Sequence, residues 1–247
     1  MLCRSWKTRG PPGVFRPHAR AGDVPPAGRR GPRFVNVTAH GMVPQFVYFD
    51  LGNVICSFDR ERAIRQMAAL TGTTPDRVRS EVIDGGLQAA LERGAIDWLE
   101  FHERFSDRTG TSSDAEALAT AASDMFALNV DLLPVIAGLE RAGCRAGILS
   151  NTCDAHWRHL VASGYAILPG GFAPIVLSHE VGAVKPDPAI FASAAARAGV
   201  APDRIFFCDD IEEHVAAARR AGWDSEPYVS ASRLVDDLAR RGLELGL

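Results

Sequence analysis

Lysine is almost missing from this chain. Of the 19 basic side chains from Met42 to the C-terminus (27 in all, less eight in residues 1–41), 18 are arginine and one is Lys185. Compositional drift can leave a single residue behind. The sharper reading is a position that requires a compact ammonium on a flexible stem, which a planar guanidinium does not replace. Long apolar runs are missing too. Nothing approaches the roughly 18 consecutive apolar residues of a membrane span, so no membrane partner is expected. The five cysteines (Cys3, Cys56, Cys144, Cys153, Cys208) are odd in number and lack a CxxC pair. That argues against a disulfide frame or zinc site and fits reduced thiols, each a small buried hydrophobe, in a cytoplasmic protein. His156 and His159 lie three apart on an expected helix with no third metal ligand in view, and there is no internal repeat.

What is present is average for a globular chain: 47% hydrophobic and 23% charged over 247 residues, enough for one large domain or a core with an insert. The charge is unevenly divided. Residues 1–41 carry eight bases against Asp23, a net of +7, and the remainder carries 19 bases against 29 acids, a net of −10. The basic segment is rich in Pro and Gly, without hydrophobic periodicity, and is expected to be a disordered tail. A basic arm for nucleic acid and a transit peptide compete with an idle tail or a true start at Met42. The prolines argue against an amphipathic transit helix, and the last pair of readings is preferred. An acidic folded part makes nucleic acid an unsuitable partner.

Past Met42, apolar β-rich runs alternate with helical periods. Strands are expected at 46–49 (FVYF), 145–150 (RAGILS), 174–178 (PIVLS) and 204–209 (RIFFCD). Helices are expected at 60–70, 131–142, 187–198 and 212–221, with Gly143 and Gly222 just past helix ends. This alternation implies an α/β fold, a doubly wound Rossmann-like parallel sheet with helices on both faces. Between residues 57 and 129 only helical patterns occur, too long a stretch for one crossover. The expected division is a core of 42–56 with 130–247, and an inserted helical subdomain at 57–129.

In open parallel sheets, ligands bind at the carboxyl ends of the strands. Here those ends carry Asp50, Ser150 with Asn151, Lys185 in the loop after the third strand, and Asp209 with Asp210. Each alone reads as a helix cap or a solvated turn; four in one sheet favour a common site. Converging carboxylates require a hard cation, and all-oxygen ligation suits Mg²⁺. A Lys and a Ser beside such a cluster suit a phosphate, which a free carboxylate can attack.

The segments FVYFDLGNVI, ILSNT, VGAVKPDPAIF and IFFCDDIEEHVAAARRAG, in that order across residues 46–222, resemble the motifs of the haloacid dehalogenase-like hydrolase superfamily. The closest resemblance is to its FDLGNV-type branch, which includes sugar-phosphate phosphatases and has a small helical cap after the first motif. The resemblance implies a Mg²⁺-dependent phosphomonoesterase for a small phosphorylated metabolite, a sugar phosphate, in a monomer or homodimer. It makes Asp50 the nucleophile that forms an aspartyl-phosphate and Lys185 the lysine that holds nucleophile and phosphate together. Ser150 and Asn151 become the phosphate-binding end of the second motif. The metal ligands become Asp50, the Gly52 carbonyl, Asp210 and, as second ligand or support, Asp209.

Two positions depart from the common pattern. Gly52 stands where the superfamily often has a second Asp to protonate the leaving group; losing such a group typically costs ~10²–10⁴-fold in rate. Either good leaving groups are preferred, or Asp209 or a water supplies the proton. A backbone conformation open only to glycine is another reason for the residue. His214 stands where Asn or Asp is common and is expected to bond Asp210. His156 faces either the site or, as preferred here, surface or packing, and Glu92, Arg93, Trp98 and Phe101 fit cap packing as well as a site-facing role. The competing functions are a metal-free 2-haloacid dehalogenase, which an anionic metal site disfavours, and a non-catalytic phosphometabolite-binding module, which Gly52 suggests.

Overall fold

The computed structural model describes residues 37–38, 41–165, 167, 168 and 170–247; the expected tail falls outside these except at its very end. There, β1 (Val37–Thr38) and β2 (Gly41–Met42) pair antiparallel across the expected boundary at 41. The chain then runs β3 (Phe46–Phe49), β4 (Cys56–Phe58), α1 (Arg60–Thr71), α2 (Pro75–Arg79), α3 (Leu87–Glu92), α4 (Trp98–Thr109), α5 (Ala115–Ser123) and β5 (Phe126–Leu128). It continues through α6 (Leu133–Arg141), β6 (Arg145–Ser150), α7 (Asp154–Ala162), β7 (Ile175–Leu177), α8 (Ser178–Val181), α9 (Pro188–Ala198), β8 (Ile205–Asp209), α10 (Glu212–Arg220), β9 (Asp224–Pro227) and α11 (Ala231–Ala239).

The main sheet has five parallel strands in the order β7-β6-β3-β8-β9. Its central strand, β3, is the apolar run FVYF, buried at every position, as a strand covered on both faces must be. One face packs Val47, Phe49, Ile148 and Phe206 against α6 and α11; the other packs Phe46, Tyr48 and Phe207 with Phe191 of α9 and Trp223. The four strands expected from sequence are found, and β9, with the polar sequence DSEP, is a fifth at the edge.

Helices α1–α5 form a separate packing unit around Ile64, Met67, Leu87, Trp98, Phe101 and Phe105, joined by Cys153, just before α7, and Ala155 of α7. Side-chain caps set their starts. Asp59, Thr74, Asp97 and Asp114 each accept the N–H three residues on, satisfying donors that a helix start leaves unpaired. The purely helical expectation for 57–129 needs one correction. The stretch is framed by β4 and β5, an antiparallel pair with Cys56 opposite Leu128. These strands are three residues each, too short to show a period-two pattern.

Candidate active site

Two neighbouring sheet strands deliver three carboxylates to one edge. β3 ends at Phe49, so Asp50 stands at its carboxyl end, and β8 runs beside it in register, Phe49 opposite Cys208, so Asp209 and Asp210 emerge alongside. Oxygens of Asp50, Asp209 and Asp210 all lie within 4.8 Å of one another. Asp50 and Asp209 are buried and Asp210 is exposed.

Lys185 explains how two buried carboxylates coexist. Its Nζ donates to Asp50 Oδ1 at 2.7 Å, Asp209 Oδ2 at 2.6 Å and the Leu149 carbonyl at 2.9 Å. An ammonium has three donors, and all three are engaged. The Phe207 ring centroid lies 5.3 Å from Nζ, and the residue is 2% exposed. Burial alone would push the Lys185 ammonium towards the neutral form, but Asp50 and Asp209 outweigh it and keep it charged. Burial pushes Asp50 upward against the pull of Lys185. Asp209 is held below the usual carboxylate range despite its burial, because Lys185 and His214 both stabilise its anion. The Lys185 backbone is fixed by Asn151, whose Oδ1 accepts the Lys185 N–H at 2.7 Å and whose Nδ2 donates to the Lys185 carbonyl at 2.9 Å.

Several sequence expectations change at this level of detail. His214 Nδ1 contacts Asp209 (3.0 Å to Oδ2), not Asp210, because Asp209 points back under α10. Asp210 instead accepts from Asn53 Nδ2 at 2.9 Å. Asn53 adopts a left-handed φ of 54°, which Asn tolerates better than most residues. This is what the Asn of DLGN does here: it makes the turn and holds Asp210. Gly52 has no left-handed backbone, so conformation is not its reason. A Cβ there would lie 3.0 Å from Phe58 Cε1 and 3.8 Å from Asp50 Oδ2; the Phe58 ring occupies that space. Asp209 cannot donate a proton, since Lys185, His214 and the Ile211 N–H bind its oxygens and keep it ionised. His156 is 7% exposed and edge-on to Phe126 at 5.5 Å, which excludes the surface reading.

Above this edge lies a cavity of about 740 Å³, its mouth included. Leu51, Gly52, Ser150, Asn151 and Thr152 form its floor; Phe58, Ile64, Met67, Trp98 and Phe101 form its walls. Its polar or charged wall groups are Arg60, Gln88, Glu92 and His156. Ser150, Asn151, Glu92, Trp98 and Phe101 line the cavity, whereas Arg93 is exposed outside it. The donor set fits a hard divalent cation. Three carboxylates less one ammonium leave two negative charges, and Asp210 has no salt-bridge partner among the described residues.

The chain belongs to the haloacid dehalogenase-like hydrolase family, whose model matches residues 45–222. It is 26% identical over 189 residues to a D-ribitol-5-phosphate phosphatase of Bacteroides thetaiotaomicron, covering 72% of this chain and 89% of that protein. It is also 32% identical over 94 residues to a glyceraldehyde 3-phosphate phosphatase of Methanopyrus kandleri; this match spans only 39% of that protein and 37% of this chain. A HAD family enzyme of Bacteroides thetaiotaomicron, solved with magnesium and inorganic phosphate, superposes with a TM-score of 0.68 at 24% identity, over 76% of this chain and 95% of the other. A predicted HAD-like hydrolase of Porphyromonas gingivalis gives 0.69 at 24% identity, over 80% and 97%. These likenesses establish the Rossmann-like hydrolase fold. Among the described residues no helix is long and apolar enough to cross a membrane, and Cys56, Cys144, Cys153 and Cys208 are buried and free.

Proposed function

We propose that this hydrolase is a Mg²⁺-dependent phosphomonoesterase working through an aspartyl-phosphate on Asp50. The observation that carries the reading is the Asp50–Lys185–Asp209 cluster with Asp210 within 4.8 Å, adjoining the segments of Leu51, Gly52 and of Ser150, Asn151 and Thr152 that line a half-open cavity. Asp50, Asp210 and the Gly52 carbonyl would hold the metal, with Asp209 as second ligand or support. The ion would neutralise the phosphoryl oxygens, which a purely anionic floor would repel.

The chain's own groups then have separable tasks. One Asp50 oxygen attacks phosphorus as the bond to the leaving oxygen breaks, and water later displaces phosphate and restores the carboxylate. Lys185 keeps Asp50 ionised and aimed; a contact from Lys185 to a phosphoryl oxygen requires one of its three present partners to share or release it. Ser150 offers its hydroxyl to the phosphate. Asn151, with both side-chain ends on the Lys185 backbone, positions that loop. Helices α1–α5 act as the cap that closes over the leaving group and keeps bulk water from the acyl phosphate.

Relatives whose names specify phosphorylated three- and five-carbon compounds support a small phosphosugar or phosphopolyol substrate. The same negative cluster argues against a haloacid, whose carboxylate it would repel. The reading is tested by phosphate release from p-nitrophenyl phosphate. Turnover should vanish with EDTA and return with excess Mg²⁺; halide release from 2-chloropropionate that persists in EDTA, without phosphate release, would replace it with the dehalogenase.

A further inference from the structure

We propose that Glu92, carried by the helical insert, is the general acid and base of the reaction, in place of the carboxylate missing at position 52. The inference rests on the phosphatase reading and adds a catalytic residue to it.

The space beside Gly52 belongs to the Phe58 ring, so no proton donor reaches the leaving group from the first loop. The remaining titratable groups near the floor are unsuitable. Asp209 is held as an anion by Lys185 and His214, and His214 is engaged with it. Asp210 belongs to the metal cluster. His156 is kept neutral by burial, which lowers it to about 4, so it holds no proton to give near neutral pH. Asp59 caps α1 and is not part of the cavity wall.

Glu92 is different. It lines the same cavity as Gly52, Ser150 and Asn151. Its only bond among those of the described residues is to Gln88, whose Nε2 donates to Oε1 at 2.9 Å, and it forms no salt bridge there. Burial raises its carboxyl against the opposing pull of Gln88, Arg60, Arg93 and Lys185; the other titratable neighbour packed on this side is the buried Cys153 thiol just before α7. A carboxyl that gives up its proton less readily than usual suits an acid that must also act as a base.

The backbone fixes where it stands. Gly94, two residues on, has φ +66°, and a Cβ there would lie 2.3 Å from the His179 carbonyl oxygen. The end of α3 is therefore pressed directly on α8. His179 in turn contacts the Thr152 carbonyl through Nδ1 at 3.0 Å. Glu92 is thus tied to the β6 edge by a short chain of contacts rather than left on a free helix.

In the first half-reaction an Asp50 oxygen bonds to phosphorus, the ester P–O bond breaks, and the Glu92 proton passes to the leaving oxygen. In the second, the Glu92 carboxylate takes a proton from water as its oxygen bonds to phosphorus, the Asp50–phosphorus bond breaks, and inorganic phosphate leaves. Glu92 ends protonated, as it began.

The test is Glu92→Gln, which keeps shape and the Gln88 contact, assayed with Mg²⁺ on p-nitrophenyl phosphate and benzyl phosphate, with thermal melting as a folding check. Nitrophenolate needs no proton to leave. The variant should therefore give a burst of one nitrophenolate per site at near the wild-type rate, then a steady rate lower by ~10²-fold or more. Benzyl phosphate should show no burst and the same large loss, and the limb of the wild-type pH profile that reports this carboxyl should disappear. Equal slowing of the burst and the steady rate, or an unchanged pH profile, overturns the role of Glu92. A wild-type protein that releases nothing from either ester overturns the phosphatase reading itself.

Discussion

Replacing Lys185 by Arg asks whether the ammonium is needed for its shape or only its charge. The Lys185 pocket offers three acceptors at 2.6–2.9 Å around a single nitrogen. A planar guanidinium cannot place its forked donors on all three without displacing Phe207 or Asp50. Lys185→Arg should lose at least ~10²-fold in kcat and melt at a lower temperature. Near wild-type turnover with an intact fold would mean that the lone lysine is compositional drift. Lys185→Met should destabilise more strongly, by about 3–5 kcal/mol, because it strands two buried carboxylates without a counter-charge; denaturant unfolding measures this. Asn53 makes a milder prediction. Asn53→Ala removes the 2.9 Å bond to Asp210 and strains a left-handed position, so the Mg²⁺ concentration for half-activity should rise several-fold while the fold survives.

At the scale of elements, α7 carries a pH signal. His156 is buried against Phe126 and lowered by that burial to about 4 from an ordinary 6.5. Because the folded value lies below the unfolded one, the unfolded chain binds the proton first as pH falls. Stability is therefore complete above about 6.5 and declines towards 4, by at most about 3 kcal/mol. His156→Phe should flatten urea unfolding free energy over that window; an unchanged slope would show that another group carries it.

Elements with a clear period and ordinary caps were legible in the chain. The strands at 46–49 and 145–150 and the helix ends at Gly143 and Gly222 fall where their patterns put them. The strands β4, β5 and β9 were not, being short or polar and held in place by pairing partners far along the chain. The same holds for the site. Motif residues at strand ends announce themselves, but that His214 serves Asp209, that Asn151 clamps the Lys185 backbone, and that Phe58 fills the space beside Gly52 depend on contacts across 5 to 34 residues in the first two cases and on a loop's curvature in the third.

For the whole molecule, residues 1–41 should be dispensable. Their charge repels itself, and β1 pairs with β2 alone among the described strands, while the sheet that builds the site begins at Phe46. Deletion to Met42 should leave kcat and melting temperature unchanged; a clear fall in either would assign the segment a docking role. The central claim, that Asp50 attacks phosphorus, is tested most directly by mass spectrometry of acid-quenched protein during turnover of p-nitrophenyl phosphate with Mg²⁺. The account predicts one added phosphoryl group on the peptide that contains Asp50, and neither adduct nor turnover in Asp50→Asn. Turnover by Asp50→Asn at even a few per cent of the wild-type rate, or a phosphoryl group on a different residue, would contradict it.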